Sequence, residues 1–264
     1  MQKRFALLVA LTISALPLAA QAQRKSPLAD APAIRKRLEL RSSRFEIGVG
    51  AGSSIDQDFY HSVIGNVKLG FHFTDWLSLA AVGGFALANM DTGFKSNIVD
   101  SLNPNPDGTR APTKAGAVGS MNQVKEMAAL QIEATPFTGK YSLFGKLFAH
   151  YDFYFFGGAG FLNYDATTAG GRTCSGAAGP LDGSPCAVTG LKIGPQFGVG
   201  IHSYINQFLA LNVELRDIFA QNNAAGRDVN GDQRVDNGDL GYTHTVFATL
   251  NVMLFLPSTA DISN

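Results

Sequence analysis

The chain has 264 residues, equal numbers of acidic and basic residues, and only 16% charged against 45% hydrophobic residues. That composition excludes a disordered polyelectrolyte, and the charge balance argues against a dedicated nucleic-acid binder. Beyond the N-terminus no apolar run is long enough for a membrane helix.

Lys3 and Arg4 precede an apolar stretch from Phe5 to Leu18 and the small-x-small sequence Ala20-Gln21-Ala22. This order predicts a secretory signal over residues 1–22, whose apolar part is too short to stay in a bilayer as a helix. Losing two basic residues with it leaves a mature chain of formal charge about −2. Residues 23–43 form a basic periplasmic extension: Arg35, Lys36, Arg37 and Arg41, with Arg44 just after, stand against Asp30 and Glu39. A solvated extension, with a short helix from Pro32 to Leu40, and a site for an anionic partner are the two readings.

From 44 to 257 the chain alternates apolar and polar residues in eight segments. The first sets Phe45, Ile47, Val49 and Ala51 against Glu46, Gly48 and Gly50, and the second sets Val67, Leu69, Phe71 and Phe73 against Asn66, Lys68 and His72. A two-residue turn at Thr74-Asp75 leads to Leu77, Leu79, Ala81 and Phe85, followed by a long loop over 88–122. The fourth segment runs from Ala128 to Ala134 and is expected to stop at Thr135-Pro136, where proline removes a ladder donor, leaving 137–148 as a connector. Tyr151, Phe153, Phe155, Ala159 and Phe161 make the fifth face, opposite His150, Asp152 and Tyr154. The sixth carries Phe197, Val199, Ile201 and Ile205, with Pro195 predicting late pairing or a bulge. After a tight turn at Asn206-Gln207 the seventh carries Leu209, Leu211, Val213 and Leu215, and the eighth Val246, Ala248, Leu250, Val252, Leu254 and Leu256; residues 258–264 are a tail. The segment around Thr74-Asp75 parallels that around Asn206-Gln207 in phase and turn length, as either a duplication or two hairpins under the same rules.

This period of two, with short and long connections tending to alternate, predicts an all-β, eight-stranded antiparallel up-and-down transmembrane β-barrel. One face has no Asp, Glu, Lys or Arg, while the other carries Glu46, Lys68, Glu133, Asp152, Glu214 and Arg216. A charge-free face suits lipid, where a mid-depth Lys or Arg costs about 2–4 kcal/mol. The competing arrangement is a soluble lipocalin-like barrel with the apolar face inside around a ligand. Glycines crowding the polar face, such as Gly48, Gly70, Gly158 and Gly200, favour the membrane barrel, because a narrow interior needs small residues beside large ones and water does not. Aromatic residues near segment ends, among them Phe45, Phe73, Trp76, Tyr151 and Phe208, fit interfacial girdles.

Four short stretches carry a family resemblance: Arg44-Phe45-Glu46, Thr74-Asp75-Trp76-Leu77, Gly145-Lys146-Leu147 leading to Asp152-Phe153, and Leu211 to Asp217. On these the chain resembles the small outer-membrane β-barrel domain proteins typical of myxobacteria and related Gram-negative groups. The resemblance implies an outer-membrane barrel and brings no catalytic residue.

Cys174 and Cys186 lie in one Gly-rich loop and, in an oxidising compartment, are expected to pair. Asp228 to Asp239 resembles a dockerin or EF-hand calcium loop, with Asp228, Asn230, Asp232, Asp236 and Asp239 as oxygen ligands and the carbonyl of Arg234 as another. Gln233 stands where glycine makes the sharp turn and Asp239 where a bidentate Glu is usual, so a solvated acidic loop is the equal reading. Glu46, Lys68, His72, Glu133, Asp152, Glu214 and Arg216 form a predicted polar network inside the barrel, joined by His150 and His202 on the same face, with no nucleophile spacing and no enzyme implied. Expected partners are outer-membrane lipid and other envelope proteins, and calcium is the one candidate cofactor. The expected function is a structural or interaction role through long extracellular loops. Its alternatives are a conduit for small apolar molecules or, for the soluble barrel, ligand binding.

Overall fold

The structure, a computed structural model, describes residues 41–102, 114–143, 147–166, 173–174 and 186–258. The signal over 1–22, the extension up to residue 40 and the tail from 259 lie outside the described residues. Eight antiparallel strands, β1 (Phe45–Ser54), β2 (Tyr60–His72), β3 (Leu77–Asp91), β4 (Asn122–Leu143), β5 (Leu147–Ala166), β6 (Gly190–Tyr204), β7 (Leu209–Asn222) and β8 (Gly241–Leu256), pair in chain order. β8 also pairs with β1, Leu256 opposite Phe45, so the sheet closes into an up-and-down barrel with no unpaired edge along its wall.

The alternation separates two surfaces. Phe45, Leu69, Leu79, Ile132, Phe155, Phe197, Val213, Leu250 and Leu254 point outward and are exposed, while Lys68, Glu133, Asp152, Glu214 and Arg216 point inward and are buried. This polarity, apolar outside and charged inside, is the inverse of a water-soluble protein and overturns the lipocalin-like alternative. The outward run from Val246 to Leu256 on β8 has the roughly 9–11 residues that a tilted strand needs to cross hydrocarbon. Exposed Phe45, Phe73, Trp76, Phe137 and Phe208 ring the end where β1 begins and β8 ends, called the terminal end. Lys125, Glu126 and Asp165 are outward charges near the other end.

Glycines on the inner face make room for large neighbours. A Cβ on Gly70 would fall 2.5 Å from the Glu46 side chain, and one on Gly200 would fall 2.2 Å from the Tyr154 ring.

The strands outrun the predicted segments in several places. β4 does not stop at Thr135-Pro136: the register shifts between Ala134 and Phe137, the exposed Pro136 sits in that irregularity, and pairing with β5 resumes through Leu143. Proline is tolerated because β3 ends opposite Ala134, so no donor is required of residue 136 on that side. The supposed connector over 137–148 is therefore mostly hairpin. Pro195 acts the same way on one side only: β6 pairs with β5 from Gly190 but with β7 only from Gln196.

The tight turns are longer than two residues, and they are alike. Phe73 and Thr74 both donate to the Leu77 carbonyl while Thr74 Oγ1 accepts from Leu77 N. Ile205 and Asn206 both donate to the Leu209 carbonyl, and Asn206 Oδ1 accepts from Leu209 N. The two segments thus share a bonding pattern as well as a phase.

Among the described residues the long-end connections carry helices and a 3₁₀ turn. Between β3 and β4 lie helices α1 (Gly93–Ser101) and α2 (Lys114–Ser120), so the loop predicted over 88–122 is in part strand and helix. Thr92 caps α1, its hydroxyl accepting from Lys95 N.

Candidate functional site

The inward residues fill the lumen in two storeys. Toward the terminal end the filling is charged. Lys68 is completely buried, and its ammonium lies 2.6 Å from Glu133, 2.8 Å from Glu214 and 3.1 Å from Glu46. Arg216 donates to Glu214 at 2.7 Å and to Gln131 at 2.6 Å, and it also reaches Gln196. Tyr154 donates to Glu214 at 2.5 Å and receives the Asn212 amide at 2.6 Å. Closer to the mouth, Asp152 accepts from Tyr204 at 2.6 Å and pairs with His202 Nδ1 at 2.8 Å, while His72 stands 3.1 Å from Glu46.

Each buried charge in this storey therefore faces an opposite charge and neutral hydrogen-bonding groups, which a low-dielectric interior requires. The structure brings together Glu46, Lys68, Glu133, Glu214 and Arg216, with Asp152 and His72 joined through Glu46 and His202. His150 stays half-buried toward the terminal rim, outside that contact set. The uncharged members, Gln131, Tyr154, Gln196 and Asn212, fall on the polar face of their segments but were not counted in the predicted network, which was drawn from charge. Their inward phase on four strands was the available signal.

Toward the loop end the lumen is apolar. Ile64, Val82, Val124, Met127, Leu162, Tyr164, Ile218 and Phe247 pack as one buried cluster above the charged storey. Side chains thus occupy this part of the lumen.

Above it the loops fold into a cap. Phe59, Tyr60 and Met121 pack with Ile98 and Val99 of α1 and with Ala224 and Ala225 after β7. Asn122 joins three connections: its backbone N–H donates to Ala224 O, and its side chain donates to Val188 O at 2.8 Å and Asn222 Oδ1 at 2.7 Å. Cys174 and Cys186 form a disulfide with Cα atoms 5.2 Å apart, and Cys186 packs against Val188 and Val235. Cys186 N also donates to Gly226 O, where a Cβ would meet the Cys186 carbonyl at 1.8 Å, so this left-handed position requires glycine.

The 228–239 loop is knitted by its own backbone. Asp228 accepts from Gly231 N and Gln233 N, Asn230 from Asp232 N, and Asp232 from Arg234 N. Asp236 caps a short 3₁₀ turn, and Asp239 accepts from Val229, Asn230 and Asp236. Burial works against the Asp239 charge, but the N–H groups of Asp236, Val229 and Asn230 hold its carboxyl below the usual carboxylate range. Gln233 adopts φ +67°, so the sharp bend is made without glycine. Among the described residues no group of three or more His, Cys, Asp or Glu side chains is gathered as a metal ion would need.

Comparison of the chain with solved structures finds outer-membrane proteins at low similarity. Its fold is theirs. The N-terminal β-barrel domain of Pseudomonas aeruginosa OprF superimposes with a TM-score of 0.42 at 10% identity, over 81% of this chain and 98% of that one. Pseudomonas aeruginosa OprG gives 0.36 at 10% identity, over 81% and 95%. Ail, the attachment invasion locus protein of Yersinia pestis, gives 0.35 at 8% identity, over 81% and 99%. At such identities the similarity concerns the fold alone. No protein-family model matches the chain. No curated protein matches it either. Myxobacterial character stays with the short motifs quoted above.

Proposed function

We propose that the chain is an outer-membrane protein of a Gram-negative envelope whose role is structural or interactive and is exercised by the folded cap at the long-loop end. One observation carries this reading: side chains fill both storeys of the lumen, while the described parts of the connections at one end pack together beside a disulfide. A surface held this way loses little entropy on meeting a partner. The test is outer-membrane fractionation with heat-modifiable migration, followed by binding of whole cells to envelope or surface partners with the cap intact and with residues 228–239 replaced. Recovery of the mature protein in the soluble periplasmic fraction refutes the location, and unchanged binding refutes the role.

Calcium at 228–239 belongs to the same proposal, supported by the positive φ of Gln233 at the bend and by buried Val235 after it. Amide exchange of this loop measured in calcium and in chelator decides it, and equal rates remove the ion.

A lateral conduit is the second reading. It is favoured by a hollow of about 300 Å³ on the barrel wall, lined by Gly83, Ala128, Phe161 and Leu191 below Glu126 and Asn163. Uptake of an apolar probe into vesicles with and without the protein separates this from a display role.

A further inference from the structure

Residues 41–43 end the basic extension expected from sequence to be solvated or to meet an anionic partner, yet Arg41 is only 5% exposed and Arg44, which follows, only 3%. The chain turns sharply here: Arg44 N donates to Arg41 O at 3.2 Å, and Ser43 holds φ +63°, a left-handed conformation uncommon for serine. The turn aims Arg41 back into the barrel, where its guanidinium donates to Asp152 at 2.5 Å and to the Asp75 carbonyl at 2.6 Å. The backbone N–H groups of Arg41 and Ser42 both donate to Asp75 Oδ1, at 2.7 and 3.0 Å.

Arg44 ties the same turn to the far side of the mouth. Its guanidinium lies 5.4 Å over the Phe255 ring and donates to Gln207 O at 2.7 Å and to Pro257 O at 2.9 Å. Four residues are thus fastened to the β2–β3 turn, to β5, to the β6–β7 turn and to the chain after β8. Ser43 N donates to His72 O and His72 N to Arg44 O, continuing the β1–β2 ladder, whereas Arg41 and Ser42 are held by Asp75 and Asp152 and can release without breaking it.

Charge gives the turn a second task. Among the described residues the charged storey holds four carboxylates, Glu46, Glu133, Asp152 and Glu214, but only two permanently cationic strand residues, Lys68 and Arg216. Arg41 supplies a third cation from outside the strands, and it does so at Asp152, the carboxylate farthest along the contact chain from Lys68.

We propose that residues 41–44 are a latch that closes the terminal mouth of the lumen, and that withdrawing Arg41 admits water to the charged storey. This goes beyond the cap reading and does not rest on it, since it can be tested on the full mature chain folded in detergent.

Both native cysteines are joined in the disulfide, so one introduced cysteine is the only thiol. Ser78, buried inside the mouth with its hydroxyl on Glu133, is a suitable position. Ser78→Cys should react slowly with a charged thiol reagent, and adding Arg41→Gln should accelerate labelling by roughly tenfold or more, as loss of one charge-assisted contact implies. Arg41→Lys, which keeps the charge, should label closer to the native rate. Equal rates with Arg41 and with Arg41→Gln, both barrels folded by heat-modifiable migration, overturn the latch. If Arg41→Gln does not fold, Asp75→Ala, which removes the backbone anchor and leaves Asp152 in place, decides: faster labelling supports the latch and an unchanged rate overturns it.

Discussion

Replacing Lys68 by methionine tests whether the charged storey holds the barrel together. The substitution keeps most of the volume but removes the one ammonium shared by Glu46, Glu133 and Glu214. Breaking a buried pair by deleting one partner costs about 3–5 kcal/mol, because the other charge is left uncompensated. Here three carboxylates lose a partner, yet the total should not triple. Glu214 keeps Arg216 at 2.7 Å, Glu133 keeps the Ser78 hydroxyl at 2.9 Å and the Gln131 amide at 2.6 Å, and Glu46 keeps His72. A carboxylate left without a cation can also bind a proton instead of staying charged. The expected loss is therefore about 4–6 kcal/mol, a large share of the roughly 5–15 kcal/mol that stabilises a typical domain. Urea titration followed by the emission of the single tryptophan, Trp76, and by heat-modifiable migration measures it. Acidification should restore part of the loss by neutralising the orphaned carboxylates, and Lys68→Arg should fold better than Lys68→Met. A Lys68→Met barrel within 1 kcal/mol of the parent at neutral pH would refute the view that ion pairing organises the lumen.

Other expectations concern the wall and the cap. Leu250→Arg, at mid-height on the outer face, should destabilise the barrel in lipid by about 2–4 kcal/mol, whereas Tyr242→Arg near the loop end should cost only about 0–1 kcal/mol; similar values for both would argue against a lipid-facing belt. Trp76 is 59% exposed beside the terminal rim, so lipids brominated near the headgroup should quench it more than lipids brominated at the acyl terminus. Reducing the Cys174–Cys186 disulfide, which spans a sequence separation of 12, should release about 3 kcal/mol of loop constraint, seen as faster proteolysis of the cap with the strands still protected. Asp239 titrates below its usual range in the folded loop. A depressed carboxyl contributes stability above its unfolded pKa and loses it as pH falls through the folded value, so the protection of amides in 228–239 should fall only as pH drops below the ordinary aspartate range, and Asp239→Asn should weaken that pH dependence.

The period of two was legible because lipid and a filled lumen each constrain alternate residues all along the strand. It could not mark where strands end, since β4 carries its pairing past Pro136 and β3 continues to Asp91 through residues with no strict alternation. Charge identified the ionic members of the storey, but Gln131, Gln196 and Asn212 look like ordinary polar residues until cross-strand neighbours are known. Arg41 was hidden for a different reason. A basic residue among other basic residues reads as solvated, and only the left-handed turn at Ser43 directs it inward.

The position of the glycines explains why the lumen is closed rather than merely narrow. Gly48, Gly70, Gly198 and Gly200 each lie where a Cβ would strike a large side chain from a neighbouring strand: Met253, Glu46, Phe156 and Tyr154 respectively. A barrel meant to hold a water path would gain nothing from admitting such side chains across its axis. Here the small residues let Tyr154 and Glu46 reach Lys68, so the same feature that makes room also completes the ion pairs. For the proposed role, the surface among the described residues is the cap built from α1, Cys186 and the chain up to β6, and the 228–239 loop. Val229, 71% exposed at the start of that loop, and Phe94, 56% exposed on α1, are the apolar residues a partner would meet first. Alanine at either position should weaken binding to such a partner without changing heat-modifiable migration, and unchanged binding by the double variant would move recognition off this part of the cap.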